Sequence, residues 1–544
     1  MTTHPRTPIT RHAPARPAPA ESSAARPAPA EVPASAGGVR RRALLAAPLA
    51  ALAAPAAAAA TATPASAHPC PPRHSSDPTL LRWARDTWRS IDAMTHPDTG
   101  LAADNIDADL TTRSGYTSPT NIAGGLWSTL IARELRLITP GESRRRISRT
   151  LRSLERMERH EPSGMYVNWY DEADGSILRI WPESGDRVVP FVSSVDMGWL
   201  GAALHVVAEA DPGNRRRARA LSEAMRWDVF YDRDAPTAPG AVVGGFWIED
   251  PDQPEGVLMP PLNGVGGPDL WYHIEHHYDT AISEARMVTY LGIIRGQIPA
   301  AAYFATYRTF PPDWDWAEMT PVGRYRRYRG VDVFEGAHTY RGMRIVPGWG
   351  GSMFEELMPD LFVPEAAWAP HSWGVNHPLH VRAQREHGLD EAGYGYWGFS
   401  PCSNPAGGYR EYGVDALGLN PEGYFSDQEM TDWHAEDPPS HYGDGVVTPH
   451  AAFLALAYEP AAARKNLVRI EKQLGAYGRG GFHDAVATRS GQIARRHLAL
   501  DQSMIMGALG NVMLKGRLHR WFATPRVEAR LRPVIGPEVF GARG

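Results

Sequence analysis

Apolar residues recur every three or four positions along most of this chain, a spacing that predicts a largely helical protein. The first run, Asp77 to Met94, sets Leu80, Leu81, Trp83, Ala84, Trp88 and Ile91 on one face. Ser118-Pro119 opens the next, Thr120 to Leu137, with proline at the first helical position, where its missing N–H costs nothing. Arg144 to Met157 repeats Ile147, Leu151 and Leu154 beneath an arginine face. Further helices are expected at Ser193 to Ala210, Arg216 to Trp227, Ser352 to Leu361, Pro378 to His387, Thr448 to Tyr458, Ala461 to Leu474 and Leu500 to Leu518. Strand-like patterning is scattered: Gly164 to Tyr170 is one short stretch, and a Trp/Tyr/Arg-rich insert from Trp314 to Arg344 suits small strands. The Gly- and Pro-rich segment Ala238 to Pro268 is too long for a simple connector and reads as a site loop or a lid.

One predicted helix, Asp279 to Pro299, breaks the pattern it follows. Asp279 is a good N-cap, and Gly296 and Pro299 are stop signals. Glu284 then falls one turn ahead of Met287 and Val288, on the inward face, where an ionised carboxylate is costly. Two readings stay open: a buried ion pair with an arginine elsewhere, or a carboxyl group whose pKa is raised for proton donation.

A layout also recurs at Ser118-Pro119, Ser193, Ser352 and Thr448-Pro449: a loop bearing glycine or aromatic residues, a Ser or Thr at the cap position, then an apolar helix. Helix pairs stacked around a closed ring would gather these loop ends at one mouth. With about a dozen helices, this predicts an all-α fold, an (α/α)6 toroid with small β insertions. Capping explains some of the acids at these starts. In Ser193-Ser194-Val195-Asp196 and Ser352-Met353-Phe354-Glu355 the acid stands three residues after Ser, the capping-box spacing, so Asp196 and Glu355 read equally as caps or as functional groups.

Composition narrows the function classes. A formal net charge of -5 with 22% charged residues shows no basic excess for nucleic acid. The 17 Trp and 20 Tyr provide flat faces suited to sugar rings, although most must be ordinary core. His273, His276 and His277 would clasp zinc only if helical. Their order differs from H-E-x-x-H and no second cluster accompanies them, so no metal or other cofactor is expected.

The first stretch is a targeting segment. Residues Met1 to Gly38 are too rich in Pro, Ala and Arg to form a core. Arg40-Arg41-Arg42, the Ala/Leu run Ala43 to Ala60 and the box Ala65-Ser66-Ala67 resemble a twin-arginine export signal. Residues 1–67 are therefore expected to be a disordered extension plus signal, and 68–544 one catalytic domain outside the cytoplasm. Pro48, Pro55 and the small residues make a poor membrane anchor. The two cysteines, Cys70 and Cys402, exclude a disulfide scaffold, and a bridge between them is conceivable in an exported protein.

Seven motifs in one order, Tyr116-Thr117-Ser118-Pro119-Thr120-Asn121-Ile122, Asn168-Trp169-Tyr170-Asp171, Val192-Ser193-Ser194-Val195-Asp196, Ser283-Glu284-Ala285-Arg286, Gly351-Ser352-Met353-Phe354-Glu355, Trp397-Gly398-Phe399-Ser400 and Leu500-Asp501-Gln502, resemble the glucoamylase-like family. That family includes bacterial endo-β-1,2-glucanases and, more distantly, a helical domain of cyclic β-1,2-glucan synthases. The resemblance implies an (α/α)6 barrel cleaving glycosidic bonds of an oligo- or polysaccharide with carboxylates, without a cofactor. It makes Glu284 the leading acid, brings Asp196 to the site and matches Glu355 and Asp501 to acidic positions; the candidates for the second carboxylate are Asp196, Glu355 and Asp444. Tyr116, Asn121, Trp169, Arg286, His338, Trp397, Tyr409, Asp501 and Gln502 are the expected substrate contacts. One departure stands out: where many relatives read Ser-Asp-Gly-Pro after Trp-Gly, this chain has Cys402-Ser403-Asn404-Pro405, with Ser403 in place of the acid. Two rivals remain, a polysaccharide lyase built on Tyr116, Asn121, His273 and His338, and a glycan-binding protein that has lost its chemistry.

Overall fold

The structure is a computed structural model; it describes residues 77–235, 239–252, 256–311, 319–419, 427 and 442–543. The export signal and Cys70 lie outside these residues; Cys402 is buried.

Six helices form a packed series: α1 (Pro119–Glu134), α2 (Ser194–Ala210), α3 (Arg286–Arg295), α4 (Met353–Leu357), α5 (Pro449–Leu454) and α6 (Ala499–Met513). Packing runs from α6 to α1, α1 to α2 and α2 to α3, and α4 packs on α5, which packs on α6. The link between α3 and α4 is Arg286, whose guanidinium donates to the Glu355 and Glu356 carbonyls. Several of these helices are apolar nearly all round: α2 buries fourteen of its residues and α6 thirteen, as expected of helices covered on every side. Outer helices such as Pro78–Met94 and Pro140–Arg156 keep one polar face and read cleanly as amphipathic.

The recurrent caps are observed at three of the four places. Ser118 Oγ accepts the Asn121 N–H (3.2 Å), Ser193 Oγ that of Asp196 (3.3 Å) and Ser352 Oγ that of Glu355 (3.3 Å). Thr448 stands at the fourth start, but its hydroxyl binds the Asp484 carbonyl (2.7 Å) and His450 Nδ1 (2.8 Å) instead.

Two expectations need correction. The helix predicted from Asp279 begins at Arg286, because residues 279–282 are recruited into extended pairing: Thr280 bridges Tyr307, Ile282 bridges Gly348, and the Tyr307 N–H donates to the Asp279 carbonyl (2.6 Å). Glu284 thus lies on the turn before the helix and not on its apolar face. The fold is also less purely α than expected, with eight small sheets among the described residues. The segment read as a loop or lid contributes strands to the largest: β1 (Phe191–Ser193), β2 (Gly245–Trp247), β3 (Gly256–Met259) and β4 (Trp271–Ile274), ordered β1-β2-β4-β3 and all antiparallel. β5 (His277–Tyr278) follows β4 and leads into the Glu284 turn. The aromatic insert forms the expected strands, a hairpin of Val322–Tyr328 with Val331–Tyr340.

Candidate active site

Four carboxylates converge on one tyrosine. Tyr278, at the end of β5, has its phenol held well above its usual pKa, first by burial and then by the charges of Glu284, Asp196, Glu411 and Glu355. Each comes from a different place in the sequence. Glu284 precedes α3, Asp196 is in the first turn of α2, Glu355 is in the first turn of α4, and Glu411 follows the hairpin of β6 (Cys402–Ser403) with β7 (Tyr409–Arg410). Three helix starts and one hairpin thus meet at a common point.

Glu355 is the group most altered by this company. Burial and then the nearby Glu411 push its carboxyl up to about 8, with Glu284 adding to the rise. Hydrogen bonds from the Gly350 N–H (3.1 Å) and Ser352 Oγ (3.2 Å) to Oε2 oppose that rise but do not cancel it. The loop that supplies them is stitched to the hairpin's exit. Val414 N–H donates to the Gly351 carbonyl (3.3 Å), Gly350 bridges Gly418, and a Cβ on Gly413 would meet the Gly350 carbonyl oxygen at 1.6 Å. Glycine at 413 is therefore what lets Glu411 approach the Glu355 loop. The Glu355 side of the site is half-buried, whereas Glu284 is 8% exposed and accepts the Trp199 indole N–H at 2.7 Å.

Several expected site residues occupy supporting places. Asp196 is fully buried, one oxygen taken by Thr120 Oγ1 (2.6 Å) and the other by Asn168 Nδ2 (2.8 Å), so it shapes the field from behind the site. Arg286 does not face a ligand: its five N–H donors reach Glu365 through Nε (2.8 Å) and Nη2 (3.0 Å), and the carbonyls of Ser283, Glu355 and Glu356. It ties the Glu284 turn to the Glu355 helix. Asp444 closes a turn, accepting from Ser490 N (2.7 Å) and Oγ (2.6 Å). Asn121 donates to Asp104 (3.0 Å), Gln502 donates to the Phe482 carbonyl (3.1 Å), and Trp397 is held through its backbone by Asn466. Asp501 lies 3.2 Å from His450 Nδ1, and burial holds that imidazole down at about 4. Tyr116 and Trp169 pack edge to face (5.5 Å) in an aromatic cluster with Trp181. Tyr409 pairs with Ser403 across the β6–β7 hairpin, and His338 is buried on the long strand Val331–Tyr340.

Sequence reasoning passed over Glu411 and Tyr278. The signal for Glu411 lay in the Tyr409-Arg410-Glu411-Tyr412-Gly413 stretch, an acid with no capping role beside a glycine that permits close approach. The histidine trio is not helical: His273 is on β4 in an aromatic stack with Trp271, and His277 is on β5 beside Asp232 (2.8 Å). Among the described residues, Asp360, Glu365 and His377 place ligand-type atoms within 4.8 Å of one another. There Arg286 and a His377 held up at about 10, against its own burial, by Glu356 and Glu365 already supply the positive charge a metal would bring.

Comparison with known proteins bears out the resemblance. Residues 276–525 match the family model described as "Putative glucoamylase", and residues 82–233 match a family of proteins of unknown function. Over 267 residues the chain is 30% identical to the cyclic β-(1,2)-glucan synthase NdvB of Rhizobium meliloti, a match that takes in 46% of this chain and 8% of that much longer protein. Among solved structures, the fold is shared with an endo-β-1,2-glucanase of Chitinophaga pinensis in complex with sophorotriose and glucose (TM-score 0.56, 15% identity, 85% of this chain and 98% of that one). It is shared also with a β-1,2-glucanase of Parabacteroides distasonis (TM-score 0.61, 15% identity, 84% of this chain and 60% of that one).

Proposed function

We propose that this chain is an exported glycoside hydrolase of (α/α)6 architecture that cleaves a β-1,2-linked glucan, with Glu355 as the proton donor. The observation that carries the reading is the Glu355 carboxyl held at about 8 among Glu411 and Glu284 at a meeting point of helix starts. Glycoside cleavage needs one carboxyl that keeps its proton near neutral pH to protonate the leaving oxygen, and a second that is ionised to activate water or attack carbon. Glu355 meets the first requirement. Glu284, oriented by the Trp199 indole N–H, is assigned as the second carboxylate. Glu411 keeps the proton on Glu355 by repulsion, and it returns to the β6–β7 hairpin the carboxylate missing at Ser403.

The substrate class rests on the fold shared with β-1,2-glucanases and on the identity to a β-1,2-glucan synthase. Export rests on the arginine run and the Ala65-Ser66-Ala67 box; among the described residues no helix is long and apolar enough to cross a membrane. A lyase built on Tyr116, Asn121, His273 and His338 has less support, since Tyr116 packs edge to face on Trp169 and Trp181 and His273 lies in an aromatic stack with Trp271. Incubation of the chain with linear and cyclic β-1,2-glucans, beside β-1,3- and β-1,4-glucans, is expected to release saturated reducing ends from the β-1,2 polymers. Unsaturated uronic products from a uronic-acid polysaccharide added to the panel would establish the lyase, and binding without new ends on any polymer would establish a non-catalytic glycan-binding protein.

A further inference from the structure

The largest sheet carries two contrasting faces. On one, Val192, Phe246, His273 and Val257 stand in register; the first three are buried, with Phe246 fully so. On the other, the same register aligns Phe191 of β1 with Trp247 of β2, Trp247 with Tyr272 of β4, and Tyr272 with Leu258 of β3. Strands lie about 4.8 Å apart, so this row runs about 14 Å across the sheet. It is open to solvent: Phe191, Trp247 and Tyr272 are partly exposed and Leu258 is 48% exposed. Leu270, two residues before Tyr272 and so on the same face, is 51% exposed. Ile180 (54% exposed) belongs to a hairpin tied to the end of β2 by Arg179–Glu249 and by Arg187–Asp252 (2.7 Å). Two of the six large exposed apolar side chains among the described residues, Leu258 and Leu270, therefore lie on this face, where an isolated one would need no explanation.

The next row on the same face is Ser193, Gly245, Ile274 and Gly256, where the absence of a side chain at Gly245 lets the Phe191 ring lie over the backbone. The strands of this sheet lead directly to the active site. Ser193 caps the helix carrying Asp196, and the chain after β4 becomes β5 with Tyr278. The arginines at the rim are paired, Arg179 with Glu249 and Arg187 with Asp252, while the Tyr272 hydroxyl donates to Asp250 (3.3 Å). An apolar, aromatic ridge whose neighbouring arginines are already paired suits an uncharged polymer that presents C–H faces and hydroxyls by turns, and does not suit a polyanion.

We propose that the Phe191–Trp247–Tyr272 row is a platform that holds the glucan chain outside the cleft and feeds it to the carboxylates. This rests on the β-1,2-glucan reading, so binding and turnover are measured apart. In gels containing linear β-1,2-glucan, the full chain made inactive by Glu355→Gln is expected to be retarded. Adding Trp247→Ala should weaken that retardation by about tenfold in apparent Kd, while calorimetry with a short β-1,2-oligosaccharide that fills only the cleft reads the same for both proteins. Tyr272→Ala provides the same test should Trp247→Ala unfold, and matched thermal melts qualify either variant. Equal retardation of well-folded variants, in an enzyme whose native form cleaves the polymer, overturns the platform and leaves the hydrolase standing. Retardation that depends on Trp247 with no turnover by the native chain overturns the hydrolase and leaves the platform. Concentration-dependent dimerisation abolished by Trp247→Ala, seen by sedimentation, would assign the face to a second copy of the chain and overturn the platform too.

Discussion

Glu355 and Glu356 are consecutive on one short helix, yet they are pushed in opposite directions. Glu355 faces the site, where burial and two further carboxylates raise it to about 8. Glu356 faces inward, where His377 Nδ1 at 2.6 Å and Asn376 Nδ2 at 3.1 Å bind it and its pKa falls despite burial. Glu365 in the same interior network is lowered to about 2, against its burial, by the charge of Arg286 and by bonds from His377 and Arg286. Glu355 and Glu365 therefore sit at opposite ends of the carboxylate range. Burial is common to both; the sign of the neighbouring charge decides. The interior cluster is a support, with every cation matched. The outer one is charge-frustrated, as catalytic sites are when a proton must be held against solution chemistry.

The strongest way to break this contrast is at Glu355. Glu355→Gln keeps the size and loses the transferable proton, so turnover of β-1,2-glucan is expected to fall about 10²–10⁴-fold with folding intact. An accepted aryl glycoside with a good leaving group should lose much less. Near-normal polymer turnover by the folded variant would remove the proton-donor role.

The interior network should fail in stability before it fails in chemistry. Arg286→Met leaves Glu365 buried without its bidentate partner, and it releases the Ser283, Glu355 and Glu356 carbonyls. A loss of about 3–5 kcal/mol is expected in denaturant unfolding. A change below about 1 kcal/mol would mean that the network is not holding the helix starts together.

Glu411→Gln sharpens the comparison by removing the largest charge acting on Glu355. With less repulsion the ionised form becomes easier, so the Glu355 pKa falls. The alkaline limb of kcat/KM, set by loss of the Glu355 proton, should move to lower pH by about one unit. A limb that stays in place would dissociate Glu411 from the donor.

The smallest effect is expected at Ser352, whose hydroxyl both caps α4 and donates to Glu355 Oε2. Ser352→Ala should cost about 1 kcal/mol of stability. It should also shift the alkaline limb upward, opposite to Glu411→Gln, because a bond to the charged form is lost. Shifts of the same sign in both variants would contradict the account.

Much of the scaffold was legible because helix signals are local. Asp77 before Pro78 and Ser118 before Pro119 mark observed helix starts by side chains that reach only two or three residues ahead, whereas the helix read from Arg144 begins at Pro140, capped by Thr139. The ordered motifs likewise pointed to Glu284, Glu355 and the glucoamylase-like resemblance. Amphipathic outer helices declare themselves by periodicity, while α2 and α6, buried on all sides, show apolar content without a face.

What tertiary structure alone decided is where charges meet. Nothing local in Asp279 to Ala285 says that its backbone will pair with Tyr307 and Gly348 and start the helix seven residues late, moving Glu284 from a helix face to a mouth. Nothing local marks Arg286 as spent on five internal acceptors, or Glu355 and Glu356 as opposites. The sequence determined by itself that acids would stand at helix starts, because a cap is a contact between near neighbours. Which of those acids keeps its proton depends on Glu411, 56 positions after Glu355 along the chain, and a carboxyl's protonation answers to charges within a few ångströms whatever their distance in sequence.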